Sequence, residues 1–120
     1  MNDRPQNASC DCGTPAIHAG RKILVVSLWL RDGVVAEFEA FERRVAKIQA
    51  RHGGRIERAI RCTSAQANGS EPFEVHVVSF PDDASLAAYR ADPETRALAE
   101  QRAAIIVRTV IVEGGDVQAY

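Results

Sequence analysis

The chain has 120 residues, 46% hydrophobic and 26% charged, and its 15 basic and 16 acidic side chains give a net charge of −1. That length suits one domain with one core, and the balance is that of an ordinary soluble protein. A basic excess of the kind nucleic-acid binders carry is missing, and apolar runs such as Ile23 to Val26, ahead of Ser27, are far too short to span a membrane.

Residues 1–20 hold Asn, Asp, Pro, Ser and Gly without a period, and read as a flexible N-terminal extension unlike a secretory signal. The cysteines, Cys10, Cys12 and Cys62, are few and odd in number, which argues against a disulfide framework and for the cytoplasm. Cys10 and Cys12 offer two soft ligands, and even with His18 nearby no tetrahedral set is completed, so neither a metal nor another cofactor is expected.

Lys22 to Leu30 (KILVVSLWL) reads as a strand apolar on both faces. Leu24, Val26, Leu28 and Leu30 make a uniformly aliphatic face that should pack under helices. Ile23, Val25, Ser27 and Trp29 make the other. After Arg31-Asp32-Gly33, with Asp32 expected as helix cap, Val34, Phe38, Phe41, Val45 and Ile48 recur at helical spacing. Glu39 and Arg43 are placed for an i,i+4 pair. The helix should stop at His52-Gly53-Gly54, with His52 a helix-end charge rather than a catalyst.

Arg55 to Thr63 (RIERAIRCT) alternates as a half-exposed, edge-like strand, with Ile56, Arg58, Ile60 and Cys62 on one side. Turn residues around Asn68-Gly69 join it to Phe73–Phe80 (FEVHVVSF) in a hairpin. Asp82 or Asp83 then caps a short helix, Asp92-Pro93 starts another, and Ile105 to Val112 is the last strand. The order β-α-β-β-α-β predicts an α+β, ferredoxin-like domain over residues 21–115, followed by a tail at 116–120. Helices cover only one face of such a sheet. The second apolar face needs another cover, and a second copy of the sheet is the simplest, so a homodimer is expected.

The residues His52-Gly53-Gly54-Arg55, Val75 to Phe80 followed by Pro81-Asp82, Tyr89, Asp92-Pro93, Leu98, Arg102 and Glu113-Gly114 carry a resemblance. Over Lys22 to Gly115 the chain resembles the dimeric α/β-barrel superfamily, and within it domain-of-unknown-function family thirteen-thirty. The resemblance implies a ferredoxin-like dimeric α/β-barrel and assigns no reaction. A sister group, the antibiotic-biosynthesis monooxygenase-like proteins, oxidises aromatic polyketides without metal or flavin. That group places a Trp at the end of the third strand and a His in the following helix; here Phe80 and Tyr89 take those places, a departure that puts the same chemistry in question.

Six side chains are candidates for a site between sheet and helices. His76, with a free pKa near neutrality, is the candidate general base, and Tyr89 the candidate hydroxyl donor. Arg102 is the candidate anion anchor; its plain alternative is a salt bridge to Asp92, Glu94 or Glu100. Trp29 and Phe80 are candidate aromatic walls, and Arg58 a second cation reaching the same space. Two functions follow. One is a small cofactor-independent enzyme, monooxygenase- or isomerase-like, acting on a small apolar, aromatic or carboxylated molecule. The other is a non-catalytic homodimeric ligand-binding or structural module. Neither nucleic acid nor membrane is an expected partner.

Overall fold

The computed structural model describes residues 21–64 and 69–120. The expected extension at 1–20, with Cys10, Cys12 and His18, and residues 65–68 of the hairpin turn lie outside them. Four strands, β1 (Lys22–Leu30), β2 (Arg55–Arg61), β3 (Glu74–Phe80) and β4 (Ile106–Gly114), form one antiparallel sheet in the order β2-β3-β1-β4. Helices α1 (Val35–Arg51), α2 (Asp83–Ala91), α3 (Pro93–Ala97) and α4 (Ala99–Ile105) supply the second layer. This is the expected α+β, ferredoxin-like β-α-β-β-α-β arrangement. Among the described residues, no helix is long and apolar enough to cross a membrane.

The most apolar strand, β1, sits inside the sheet between β3 and β4. Its Leu24 and Leu28 lie buried beneath the helices, as their alternation predicts. The α1 stripe of Phe38, Phe41, Val45 and Ile48 packs on Leu28, Leu98, Ile105 and Ile106. A second cluster joins Leu24, Val78, Phe80 and Leu86, and Val26 and Tyr89 touch both.

Several local expectations are corrected. Asp32 does not cap α1: the N-cap is Val34, which forms no side-chain cap bond. Glu39 reaches Arg61 at 3.2 Å across to β2, a contact the helix sequence alone does not reveal. A bulge between Ile56 and Arg58 shifts the register of β2, so Ala59 and Arg61 share a side with Ile56 while Arg58 and Ile60 turn to the opposite one. By contrast, Asp82 caps α2 through the Ser85 amide, at 2.8 Å, and Asp92 caps α3 ahead of Pro93.

The His52-Gly53-Gly54 signature has a packing reason. Gly53 N–H donates to Ala50 O and Gly54 N–H to Gln49 O, with Gly53 at φ 76°, the left-handed stop of a helix. Gly54 is needed for contact: a Cβ there would sit 2.5 Å from the Phe80 ring, which is itself buried. Gly54→Ala should therefore destabilise the fold by about 1–3 kcal/mol, the usual cost of overpacking, read by urea denaturation. An unchanged midpoint would contradict this packing.

Asp92 ties the end of α1 to the α2–α3 corner. His52 Nε2 lies 2.8 Å from its carboxylate and Arg51 donates to it at 3.1 Å. The His52 hydrogen bond, then the Glu94 amide and Arg51, hold the Asp92 pKa down at about 2. A carboxylate depressed in the fold contributes stability above its unfolded value and loses it as pH falls through the folded one. The stability gap between wild type and Asp92→Asn should thus be complete above about pH 4 and close toward pH 2, the unfolded Asp value being about 3.9. Parallel denaturation curves from pH 2 to 7 measure it; a gap independent of pH would refute the charge's role.

Candidate functional site

Between the sheet and its helices lies a cavity of about 360 Å³. Its walls are apolar: Leu24, Val26 and Leu28 of β1, Val78 of β3, Val45 of α1 and Leu86 of α2. Glu42, Gln49, His76, Tyr89, Thr95 and Arg102 bring polar groups to it, and exposed Arg90 and Ile111 mark its mouth. An apolar hollow with a few convergent polar groups is the form small-molecule sites take.

His76 is 4% exposed on β3, among the core side chains. Its Nε2 lies 2.6 Å from Glu74 Oε2 and its Nδ1 3.6 Å from Glu42 Oε1. Arg61 donates to the other Glu74 oxygen from 2.9 Å, so that carboxylate serves the imidazole as an acceptor. Nε2 then donates to Glu74, and Nδ1 is left on the Glu42 side. Burial raises the Glu42 carboxyl above its ordinary value, against the opposing pull of His76 and Arg102. Glu42 and His76 also line a shallower outer groove of about 300 Å³ with Glu39 and Glu74, so the pair forms the partition between the two spaces.

Tyr89 comes from α2. Phe80 stacks obliquely on it at 5.4 Å and His52 meets it edge-on at 6.5 Å. Burial pushes its phenol up, against the pull of Arg102 and of a hydrogen bond with Gln49, so at neutral pH the hydroxyl keeps its proton. Arg102, from α4, lays its guanidinium over Phe41 at 5.2 Å. It forms no salt bridge among the described residues. Asp92 and Glu94, two of its expected carboxylate partners, are both taken by Arg51. A half-buried guanidinium that faces an apolar cavity, is held by no salt bridge and shares the site with Glu42, whose carboxyl feels its charge, can take an anion.

Of the six side chains singled out from the sequence, then, His76, Tyr89 and Arg102 line one cavity. Phe80 stands behind Tyr89 and faces a separate cleft with Gly53 and Pro81. Trp29 and Arg58 belong to the opposite face of the sheet. Trp29 pairs with Arg108, which stacks on its ring at 4.5 Å, while its indole donates to Gly69 O. Arg58, turned by the bulge, is exposed opposite Val77. Sequence reasoning missed Glu42, Gln49, Glu74 and Thr95. Glu42 and Gln49 are seven residues apart, two helical turns on one face, beside the apolar stripe. Glu74 and His76 are two apart in a strand and share its helix-side face. Among the described residues, no group of three or more His, Cys, Asp or Glu side chains could hold a metal ion.

No family model matches the chain, nor does any curated protein. Solved structures do. SnoaB, a cofactor-independent oxygenase from Streptomyces nogalater, is 20% identical, with TM-score 0.64 over 84% of this chain and 97% of that one. A dabb family protein with a ferredoxin-like fold from Mesorhizobium loti is 17% identical, TM-score 0.61, over 82% and 99%. A dimeric ferredoxin-like protein of unknown function from Thermobifida fusca is 14% identical, TM-score 0.61, over 85% and 96%. At these identities the likeness shows the fold, and the narrower family thirteen-thirty is not shown.

Proposed function

We propose that the protein is a homodimeric small-molecule protein whose cavity binds a compact, mostly apolar acid or carbonyl compound and moves a proton on it. One observation carries the reading: an imidazole oriented by Glu74 and backed by Glu42 faces the same apolar cavity as Tyr89 and an Arg102 that forms no salt bridge among the described residues. In the reaction, a C–H bond next to a carbonyl gives its proton to His76 Nδ1, with Glu42 alongside. The electron pair moves to the carbonyl oxygen, where Tyr89 O–H and Arg102 stabilise the developing charge. Return of the proton to another carbon completes an isomerisation. Reaction of the same carbanion with O2 converts CH2 to C=O with release of water, the balance of a cofactor-independent oxygenation of the kind SnoaB's name describes.

Deuterium exchange tests the proton step without knowledge of the natural substrate. β-Tetralone, a bicyclic ketone with acidic CH2 protons, should take up deuterium from D2O faster with the protein than in buffer. His76→Ala should remove at least 90% of that excess rate, the usual general-base contribution being about 10²–10⁴-fold. Binding without any acceleration would sink the catalytic reading in favour of a non-catalytic binding module.

The dimer in this reading joins two sheets face to face. The uncovered face presents Ile23, Val25, Val75, Val77, Val110, Val112 and Ile60 in register, with Val112 60% and Ile60 43% exposed. So much contiguous apolar surface on one sheet calls for a partner, and the Thermobifida fusca protein of this fold is described as dimeric. Neither nucleic acid nor membrane has a place in the reading, and the odd, sparse cysteines put the protein in the cytoplasm.

A further inference from the structure

A proton taken up by His76 inside an apolar cavity needs a way out before it can exchange with water. The two ring nitrogens are held differently. Nε2 lies 2.6 Å from Glu74 Oε2, and Arg61 grips the other Glu74 oxygen at 2.8 Å. Arg61 is fixed in turn, by Glu39 at 3.2 Å and by the Phe73 ring 4.7 Å beneath its guanidinium. That side of the imidazole is anchored. Nδ1 stands 3.6 Å from Glu42 Oε1, just beyond hydrogen-bond reach, and a small rotation of either side chain closes the gap.

Of the described residues that line the cavity, only His76 and Glu42 also line the outer groove between α1 and β2. The His76 side chain is 5% exposed and that of Glu42 15%, so the carboxylate is the more open of the two. Burial also raises the Glu42 carboxyl toward the range of an imidazole, which makes proton transfer between them less uphill. The sheet order β2-β3-β1-β4 sets this groove, beside β2, at the opposite edge from the cavity mouth at Ile111 of β4.

From this we infer that Glu42 is the proton exit of the site, carrying protons between His76 Nδ1 and the water of the outer groove. The N–H bond formed at Nδ1 breaks, an O–H bond forms on Glu42, and that proton passes to water. The carboxylate and the neutral ring are restored, and a proton from water enters by the reverse steps. Glu42 touches no reacting atom; it acts through His76. Substrate and protons then use opposite sides of the domain. The inference rests on the proton step proposed above and adds its route to solvent.

β-Tetralone labelled at its acidic CH2 with deuterium or tritium tests the exit. In wild type, breaking the bond to carbon limits release into water, so tritium washes out more slowly than deuterium. Glu42→Gln keeps the shape and removes the base. It should lower kcat for wash-out at least about tenfold with KM held within about twofold. The two labels should then leave at nearly equal rates, because a label trapped on His76 returns to carbon faster than it escapes. Glu42→Ala should behave alike, and formate, a carboxylate small enough to enter the groove, should restore wash-out in it but not in His76→Ala. Thermal melts and calorimetric binding of 2-naphthoate, an acid on the same bicyclic frame, establish that the variants keep the fold and the cavity. A wash-out rate unchanged by either substitution, or a label difference the same in variant and wild type, would overturn the exit and leave the proton step standing. Wild type that washes out neither label would overturn the proton step and this inference with it.

Discussion

Val25→Lys should turn the dimer into a monomer. Val25 is 38% exposed at the middle of the uncovered face, between Val77 and Val112, so a lone folded chain tolerates a lysine there. In a face-to-face pair of sheets the same position is buried, and the two-fold axis brings a second copy of the charge. Nothing nearby compensates. Arg55, Arg58 and Arg108 on that face carry the same sign, and Glu57 is already engaged by Arg21 and Ser79. Desolvating an unpaired charge costs several kcal/mol, so the dissociation constant should rise at least 100-fold, on the order of 3 kcal/mol. Sedimentation velocity at micromolar concentration should find wild type at twice the mass of the variant. A variant that sediments as wild type would place the contact elsewhere, and a monomeric wild type would remove the dimer altogether.

Arg102→Leu should weaken binding of 2-naphthoate by roughly 10- to 100-fold, the yield of about 1.5–3 kcal/mol from a charge-assisted hydrogen bond. The guanidinium has no salt bridge to lose among the described residues, and it lies over Phe41, which leucine can also cover. The variant should therefore melt within a few degrees of wild type. Its sensitivity to salt should fall too, since a screened charge has been removed from the recognition. If affinity is unchanged, the acid does not sit at Arg102; if the variant unfolds, the arginine is a structural residue and the anion site loses its support.

Much of this was legible before any coordinates, for identifiable reasons. The α1 stripe and the two-faced β1 follow from periods of 3.6 and 2, and Asp82 and Asp92-Pro93 announce their helix starts through local chemistry. The split of the β1 faces held: Leu24 and Leu28 went under the helices, while Val25 and its neighbours were left uncovered. A single bulge was enough to mislead for Arg58. One extra residue in β2 reverses every side chain beyond it, and nothing in RIERAIR marks the place. Trp29 was placed on the correct face of β1, but that face is the open one, where Arg108 stacks on it.

At the site, His76, Tyr89 and Arg102 come from three elements far apart in the chain, and their meeting is a tertiary fact. The acid that orients His76 was closer to hand, since Glu74 lies two residues back on the same strand face. Glu42 and Gln49 were hidden by their type, because polar residues beside an apolar stripe usually face solvent. Their burial records the hollow that the helices leave over Leu24, Val26 and Leu28.

The location of a bound acid is the most direct test of the account. A crystal structure grown with 2-naphthoate should show the rings between Val26, Val78 and Tyr89, the carboxylate on Arg102, and His76 within reach of the ring edge. Density instead on the open sheet face against Trp29 and Arg108, or a cavity still empty at saturating acid, would contradict it: the hollow under the helices would then be a packing feature, and His76 with its two carboxylates a buried structural network.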